Sequence, residues 1–327
     1  MTWPDYDVEA QGLGRALAEA GLQIRLEPKR GRRDARETQQ LLDGVAGAIV
    51  STDPFDEDLL VACPQLRVIA RVGVGVDSID LDAATRCGVA VTITPGANEE
   101  TVADHTLALM LALVRRICEH DADIRNGGWN RTGVHAPWTL SGRTVGIVGF
   151  GRIGKLVARR LSGFDVEVLV NDPMAPIDGE PPAVDLDDLL ARSDVVTLHV
   201  PLTRDTRALI GSREFRLMRS EAILINTARG GVLDEGALLT SLREGSLRGA
   251  ALDVFEEEPP RDWSLLHRPN VVLSPHNAGL SVESIQEMTH RATASVIDVL
   301  SGRAPDDLAN PEVGDSLDSG SGARASG

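Results

Sequence analysis

TVGIVGFGRIGKLVARRLSGFDVEVLVND, residues 144–172, decides the fold. Val145-Gly146-Ile147-Val148 is a short apolar run of the kind that forms a buried strand. It leads directly into Gly149-Phe150-Gly151-Arg152-Ile153-Gly154, and Lys155-Leu156-Val157-Ala158 then opens a helical pattern. In such a strand–turn–helix unit the three glycines serve different needs, namely a tight turn, backbone approach to a pyrophosphate, and close helix–strand packing. The helix N-terminus presents free amides and the positive end of its dipole to phosphate. Alone, a G-x-G-x-x-G run is weak and often marks a mere turn. Here a second apolar run, Val166–Asn171, ends at Asp172, about 20 residues past the glycines. A carboxylate at that place accepts hydrogen bonds from ribose hydroxyls and repels a 2′-phosphate. The stretch therefore predicts a dinucleotide site that takes NAD rather than NADP.

Outward from this unit, apolar β-branched runs alternate with helical patterns, which argues for α/β units with parallel strands. Toward the C-terminus, strands are expected at Thr144–Val148, Val166–Asn171, Val195–Val200, Ala222–Asn226, Gly249–Val254 and Val271–Ser274. Toward the N-terminus the expected strands are Ala48–Ser51, Arg67–Ala70 and Val89–Thr94, the second running into a Gly-rich stretch at 71–77. Before them only Leu22–Leu26 is strand-like, so either the usual first strand is missing or the true start lies upstream. Val102–Ile117 has apolar residues on more than one helical face, as a buried or interface helix does. Asn126-Gly127-Gly128 marks a break, Ser281–Leu300 reads as a helix, and Ser316–Gly327 is a Ser/Gly-rich tail with little to pack.

Composition limits the function. The 327 residues suffice for two ordinary domains, and 42% hydrophobic content for a sizeable core, built from aliphatic side chains because aromatics are only 3%. A net charge of −16 has the wrong sign for gripping nucleic acid. Cys63, Cys87 and Cys118 make neither a disulfide framework nor a zinc signature, and no cluster has metal-ligand spacing. MTWPDYDVEA is not a signal peptide, and the most apolar run, Leu107–Val114, is too short to cross a bilayer. The expectation is a soluble cytoplasmic protein that binds neither nucleic acid nor membrane.

Several polar motifs fall just past expected strands: His199-Val200-Pro201, Asn226-Thr227-Ala228-Arg229-Gly230, Asp253, and Pro275-His276-Asn277. In a doubly wound sheet the carboxyl ends of the strands line the ligand crevice. With RVGVGVDSID (71–80), GFGRIG (149–154), HVPLT (199–203), NTARGGVLDEGAL (226–238), ALDVFEEEP (251–259) and PHNAG (275–279), the chain resembles the D-2-hydroxyacid dehydrogenase family over nearly its whole length. Within it the chain looks closest to short phosphoglycerate dehydrogenases and to the C-terminal-binding-protein-like branch, which ETVADH (100–105) also resembles.

The resemblance implies a Rossmann-type doubly wound cofactor domain over 98–279. A smaller, flavodoxin-like α/β substrate domain would be built from 1–97 and 280–315, with 316–327 a disordered tail. It also implies a homodimer, and a catalytic set of Arg229, Glu258 and His276. Interconverting a 2-hydroxy and a 2-oxo acid needs a hydride carrier, a proton-transfer group and a cation for the carboxylate. Imidazole titrates near working pH, so His276 fits the second need. Glu258 would hold the other ring nitrogen and favour the charged ring. Arg229 would bind the carboxylate with its planar fork and polarise the carbonyl. The family places NAD against Gly149, Gly151, Arg152, Ile153, Gly154, Asp172, Val200, Pro201, Thr206, Thr227, Ala228 and Asp253, the last near the nicotinamide, and His199 would touch cofactor or the residues behind it. Backbone amides of Val74 and Gly75 would meet the substrate carboxylate, and Arg71 and Arg131 match positions that hold a distal phosphate in phosphoglycerate dehydrogenases. A third arginine of that set is replaced by Ser51, so a small 2-oxo acid with an anionic or polar tail is expected, other than 3-phosphoglycerate.

Read singly, these residues have plainer explanations: a turn histidine after proline, a surface arginine, a solvated acidic run, arginines paired with surface carboxylates. His105, His120, His135, His267 and His290 lack supporting motifs and read as structural or exposed. Two other functions share the motifs, namely an NAD(H)-sensing regulatory protein of the C-terminal-binding-protein kind and a formate- or phosphite-type dehydrogenase.

Overall fold

In the computed structural model, residues 1–2, 7, 9, 12–28, 33–131, 136–174, 179, 181–261 and 263–313 are described. The expected tail at 316–327 and His135 lie outside them. The chain divides into two compact units, Met1–Asn98 with Ser281–Gly327, and Glu99–Leu280.

The first unit begins with α1 (Leu13–Glu19) and α2 (Ala35–Leu42), then alternates β1 (Gly47–Val50), α3 (Glu57–Ala62), β2 (Val68–Arg71), α4 (Leu81–Arg86) and β3 (Ala90–Thr92). The three strands are parallel in the order β1-β2-β3. One face of the sheet, with Ala48, Val50, Ile69 and Val91, packs on Leu42 of α2, Leu59 and Leu60 of α3 and Ala83 of α4. Buried on both faces, such strands are apolar at every position instead of alternating.

The second unit holds α5 (Glu99–Val114), α6 (Ile117–Arg125), β4 (Thr144–Val148), α7 (Arg152–Leu161), β5 (Glu167–Asn171) and α8 (Leu186–Arg192). It continues with β6 (Val195–Leu198), α9 (Ser212–Leu217), β7 (Ile223–Asn226), α10 (Glu235–Glu244), β8 (Gly249–Leu252), α11 (Trp263–Leu266) and β9 (Val271–Leu273). All six strands are parallel, in the order β5-β4-β6-β7-β8-β9. Val148, Leu198, Leu224 and Leu252 face a core completed by α8, α9 and α10, whereas Val145, Ile147, Val195 and Ile225 face one completed by α5 and α7. Helices thus cover both faces, the Rossmann-type doubly wound arrangement, and every strand ends with its carboxyl terminus on the same edge.

The chain then returns to the first unit as α12 (Val282–Leu300), capped by the Ser281 hydroxyl on the Ser284 amide. Met288, Ala292 and Val296 cover the other face of the three-stranded sheet, against Ile49, Val68 and Ala90.

Two elements differ from the sequence reading. Leu22–Leu26 forms no strand. Among the described residues it is tied to Met1, whose terminal amine donates to the Arg25 carbonyl at 2.7 Å and whose carbonyl accepts the Glu27 amide, while the Thr2 amide reaches Ile49 of β1. The helix expected over 102–117 runs instead from Glu99 to Val114, and Arg116, at φ 55°, separates it from α6. A left-handed residue that is not glycine leaves little local signal in a sequence. Among the described residues no helix is long and apolar enough to cross a membrane.

Candidate active site

The strand order places β5 and β6 on opposite sides of β4, so the crevice outside the carboxyl ends of β4 and β6 is a topological switch point, where dinucleotides bind in such sheets. Gly149 leaves β4 at φ 94°, a left-handed conformation that suits glycine, and a Cβ there would lie 2.7 Å from the carbonyl carbon of His199. Its amide donates to the Asn171 carbonyl at 2.8 Å. Gly154 sits where a Cβ would press on the Gly149 carbonyl, so α7 starts tight against the turn. At Gly151 a Cβ would meet only open space, which leaves the backbone at the head of α7 approachable. Free amides at a helix start of this kind favour an anion.

Asp172 follows β5 and accepts the Phe150 amide at 2.8 Å and the Met174 amide at 2.9 Å, one on each oxygen. Expected as a ribose ligand, it also fixes the glycine turn, and each carboxylate oxygen keeps a further lone pair for an incoming hydroxyl. His199, after β6, meets the Thr197 hydroxyl through Nε2 at 3.0 Å, while its Nδ1 is buried without a protein partner. Burial lowers its pKa to about 3, so the ring is neutral at any physiological pH. An approachable helix start and a buried nitrogen in want of a partner fit a polar ligand of the dinucleotide kind.

Around this opening Arg152 is largely exposed and lies 3.5 Å from Glu99. Ile153 and Val200 pack partly into the two cores, and Pro201 is exposed. The Thr206 hydroxyl is used within its own turn, donating to the Pro201 carbonyl and accepting the Thr203 amide at 2.7 Å. Thr227 is buried and meets the Thr106 hydroxyl of α5 at 3.0 Å.

The other end of the edge carries Arg229, Glu258 and His276. Asn226 shapes the loop after β7 by accepting the Ala228 amide and donating to the Arg229 carbonyl, both at 3.0 Å. Gly230 has no room for a side chain, because a Cβ would strike the Phe255 backbone. That closeness sets the Arg229 loop against the loop of Phe255–Glu258. Arg229 is half-buried and donates to the Ala228 carbonyl at 2.7 Å. Glu258 accepts the Phe255 amide through Oε1 and, through Oε2, meets Nδ1 of His276 at 2.7 Å. Burial pushes the Glu258 carboxyl up. The hydrogen bond and charge of His276, the Phe255 amide and the charge of Arg229 outweigh this, and hold it below the ordinary carboxylate value. Arg229, Glu258 and His276, 47 residues apart in sequence at their extremes, thus come together on one edge.

His276 stands at φ 50°, a left-handed conformation unusual for a residue that is not glycine. Asp253, only 1% exposed, explains how it is held. Its carbonyl accepts the His276 amide at 2.7 Å, and its carboxylate accepts the Asn277 and Ala278 amides at 3.0 and 2.9 Å and the Ser274 hydroxyl at 2.6 Å. Sequence reading assigned Asp253 to the nicotinamide; here its oxygens brace the His276 loop. Ser274 and His105, whose Nε2 lies 2.9 Å from the Ser274 hydroxyl, were missed, because the two are 169 residues apart and no local motif joins them.

In the first unit, Val74 is exposed and Gly75 half-buried in the loop after β2. Arg71 bends back on that loop, Nε donating to the Gly75 carbonyl at 3.0 Å and another nitrogen to that of Val72. Arg131 is exposed. Among the described residues no group of three or more His, Cys, Asp or Glu side chains could hold a metal ion.

Residues 107–278 match the family described as D-isomer specific 2-hydroxyacid dehydrogenase, NAD binding domain. A glyoxylate reductase of Thermofilum pendens is 45% identical over 276 residues, 80% of each chain. The D-lactate dehydrogenase of Aquifex aeolicus, solved with NAD and lactic acid, superposes with a TM-score of 0.79 at 29% identity, covering 92% of this chain and 97% of its own. An NADPH-dependent glyoxylate/hydroxypyruvate reductase of Sinorhizobium meliloti, solved with NADP and malonate, gives 0.78 at 33% identity over 91% and 93%.

Proposed function

Because the chain belongs to the D-isomer specific 2-hydroxyacid dehydrogenase family, we propose that it reduces small 2-oxo acids, glyoxylate foremost, with His276, Glu258 and Arg229 as its working groups. The observation that carries this reading is the 2.7 Å contact of His276 Nδ1 with Glu258, beside Arg229 and on the edge that holds the glycine turn.

When bound, NADH supplies the hydride that goes to the 2-oxo carbon. The chain supplies the rest of the balance, one proton for the carbonyl oxygen and a grip on the carboxylate. Glu258 as an anion accepts Nδ1–H, which fixes the ring and leaves Nε2 to deliver the proton. Arg229 offers parallel donors to the carboxylate and draws charge from the carbonyl. Backbone amides of Val74 and Gly75 are proposed as further donors to a substrate carboxylate. The unit Glu99–Leu280 is the cofactor domain in this reading, with Gly149, Gly151, Arg152, Ile153, Gly154, Asp172, His199, Val200, Pro201, Thr206, Thr227 and Ala228 on the cofactor side. The other unit is the substrate domain. Asp172 makes NADH the preferred form, since a 2′-phosphate would meet its charge.

Arg71 narrows the substrate. Two of its nitrogens donate to loop carbonyls, and Ser51 brings no charge, which favours a short substrate over one with a distal phosphate. This reading departs from the anionic tail that the arginine positions alone suggested. It also includes a homodimer in a reducing cytoplasm. Support for association comes from α6, none of whose residues is buried and whose Ile117 and Ile124 are each 57% exposed.

The test is NADH consumption with glyoxylate, pyruvate, hydroxypyruvate and phosphohydroxypyruvate. Glyoxylate is expected to have a kcat/KM at least equal to that of the phosphate-tailed acid. A phosphate-tailed acid better by about tenfold would overturn the substrate assignment. Tight NADH binding without turnover of any of them would favour the NAD(H)-sensing reading.

A further inference from the structure

We propose that His105, on α5, is a positioning residue for His276, acting through Ser274 and Asp253; this rests on the acid–base role given above to His276.

The chain of contacts has a direction. A buried carboxylate only accepts, so the Ser274 hydroxyl proton points at Asp253 Oδ1, 2.6 Å away. The Ser274 oxygen is then left to accept, and His105 Nε2, at 2.9 Å, is the donor. This fixes His105 in a form with a proton on Nε2, which lies 3.6 Å from the same Asp253 oxygen. Asp253 in turn grips the chain on both sides of His276: Ser274 before it, the amides of Asn277 and Ala278 after it, and the His276 amide itself through its carbonyl.

His276 needs that grip. Its left-handed backbone would relax to an ordinary conformation, and its ring would swing away from Glu258, if the surroundings did not over-determine it. The far anchor is rigid. α5 is a 16-residue helix whose Leu109, Met110 and Val114 are built into the core of the sheet. His105 therefore ties the His276 loop, at the end of β9, to a fixed element through a donor in a set place. A histidine that merely filled space on α5 would do so with or without Nε2–H. The positioning role needs that proton.

The experiment compares His105→Leu, His105→Gln, Ser274→Ala and the double variant His105→Leu/Ser274→Ala, with glyoxylate and NADH, alongside Tm. Glutamine places an amide N–H near the position of Nε2 without an imidazole ring. His105→Leu should lower kcat by about tenfold while KM for NADH stays within about twofold, and His105→Gln should restore most of the loss. Ser274→Ala cuts the same link and should lower kcat to a similar degree, and the double variant should fall little further than either single one. Should the leucine variant fold poorly, the glutamine and serine variants still decide: equal kcat losses that merely track Tm overturn the proposal, as does unchanged kcat in Ser274→Ala. His276→Ala in the same series separates the two claims. If it loses activity and the His105 and Ser274 variants do not, only the positioning role falls; if it keeps activity, both fall.

Discussion

At the β4–β6 end of the six-stranded sheet the crevice is shaped by backbone: a left-handed Gly149 against the His199 carbonyl carbon, Gly154 beneath the Gly149 carbonyl, open space at Gly151. At the β7–β9 end the geometry is made by side chains, with Asn226 folding the Arg229 loop, Glu258 orienting His276, and Asp253 clamping the loop that carries it. The difference sets how each end fails. The backbone-built end tolerates changes at neighbouring side chains but not an added atom at Gly149 or Gly154. The side-chain-built end tolerates no loss of a charged acceptor, because each acceptor holds several donors whose burial makes them costly to strand.

Gly149→Ala should break the first end most severely. The new methyl group would sit against the His199 backbone in a conformation that itself costs about 1–3 kcal/mol. NADH affinity should fall by about a hundredfold or more, measured by fluorescence titration, in a protein with a lowered Tm. Unaltered NADH binding would show that the turn does not form the cofactor site.

Glu258→Gln should damage the second end and spare the first. The kcat for glyoxylate reduction should drop roughly 10- to 100-fold with KM for NADH little changed, since the amide no longer offers the charged acceptor that orients the ring. Acid stability should change as well. Glu258 is held below its ordinary value in the folded chain, so its contribution is present above the unfolded-state value and is lost as pH falls through the folded one. The stability gap between parent and variant should therefore shrink as the solution is made acid. A kcat equal to the parent's, or a stability gap that does not shrink in acid, would contradict the assigned pairing.

Asp172→Ala sharpens the comparison, because this carboxylate serves the backbone-built end with a side chain. It should narrow the preference for NADH over NADPH by about tenfold, from kcat/KM with each. Some affinity for both should be lost too, because the Phe150 amide loses its acceptor. Comparable kcat/KM for the two cofactors in the parent would refute the role of the charge.

The sequence disclosed the backbone-built end well, because G-x-G-x-x-G constrains a run of six residues and the strand expected before it, Thr144–Val148, is the one observed. It also disclosed the contact of His276 with Glu258, because the two lie in short segments that resemble one family's. It did not disclose the bracing. Ser274 and His105 carry no local signal, and the occupation of Asp253 depends on how the loop after β9 turns, which no residue type there announces. The same holds for Arg71, whose position suggested a ligand group but whose nitrogens bind the carbonyls of Gly75 and Val72.

In the proposed function, proton transfer and cofactor binding are located at different ends of one sheet edge, with His276 as the acid–base group. This is tested most directly by measuring glyoxylate reduction and NADH affinity side by side in the parent and in His276→Ala. In His276→Ala kcat should fall by roughly 10²- to 10⁴-fold while the NADH Kd stays within about twofold. Turnover by His276→Ala close to that of the parent would contradict it.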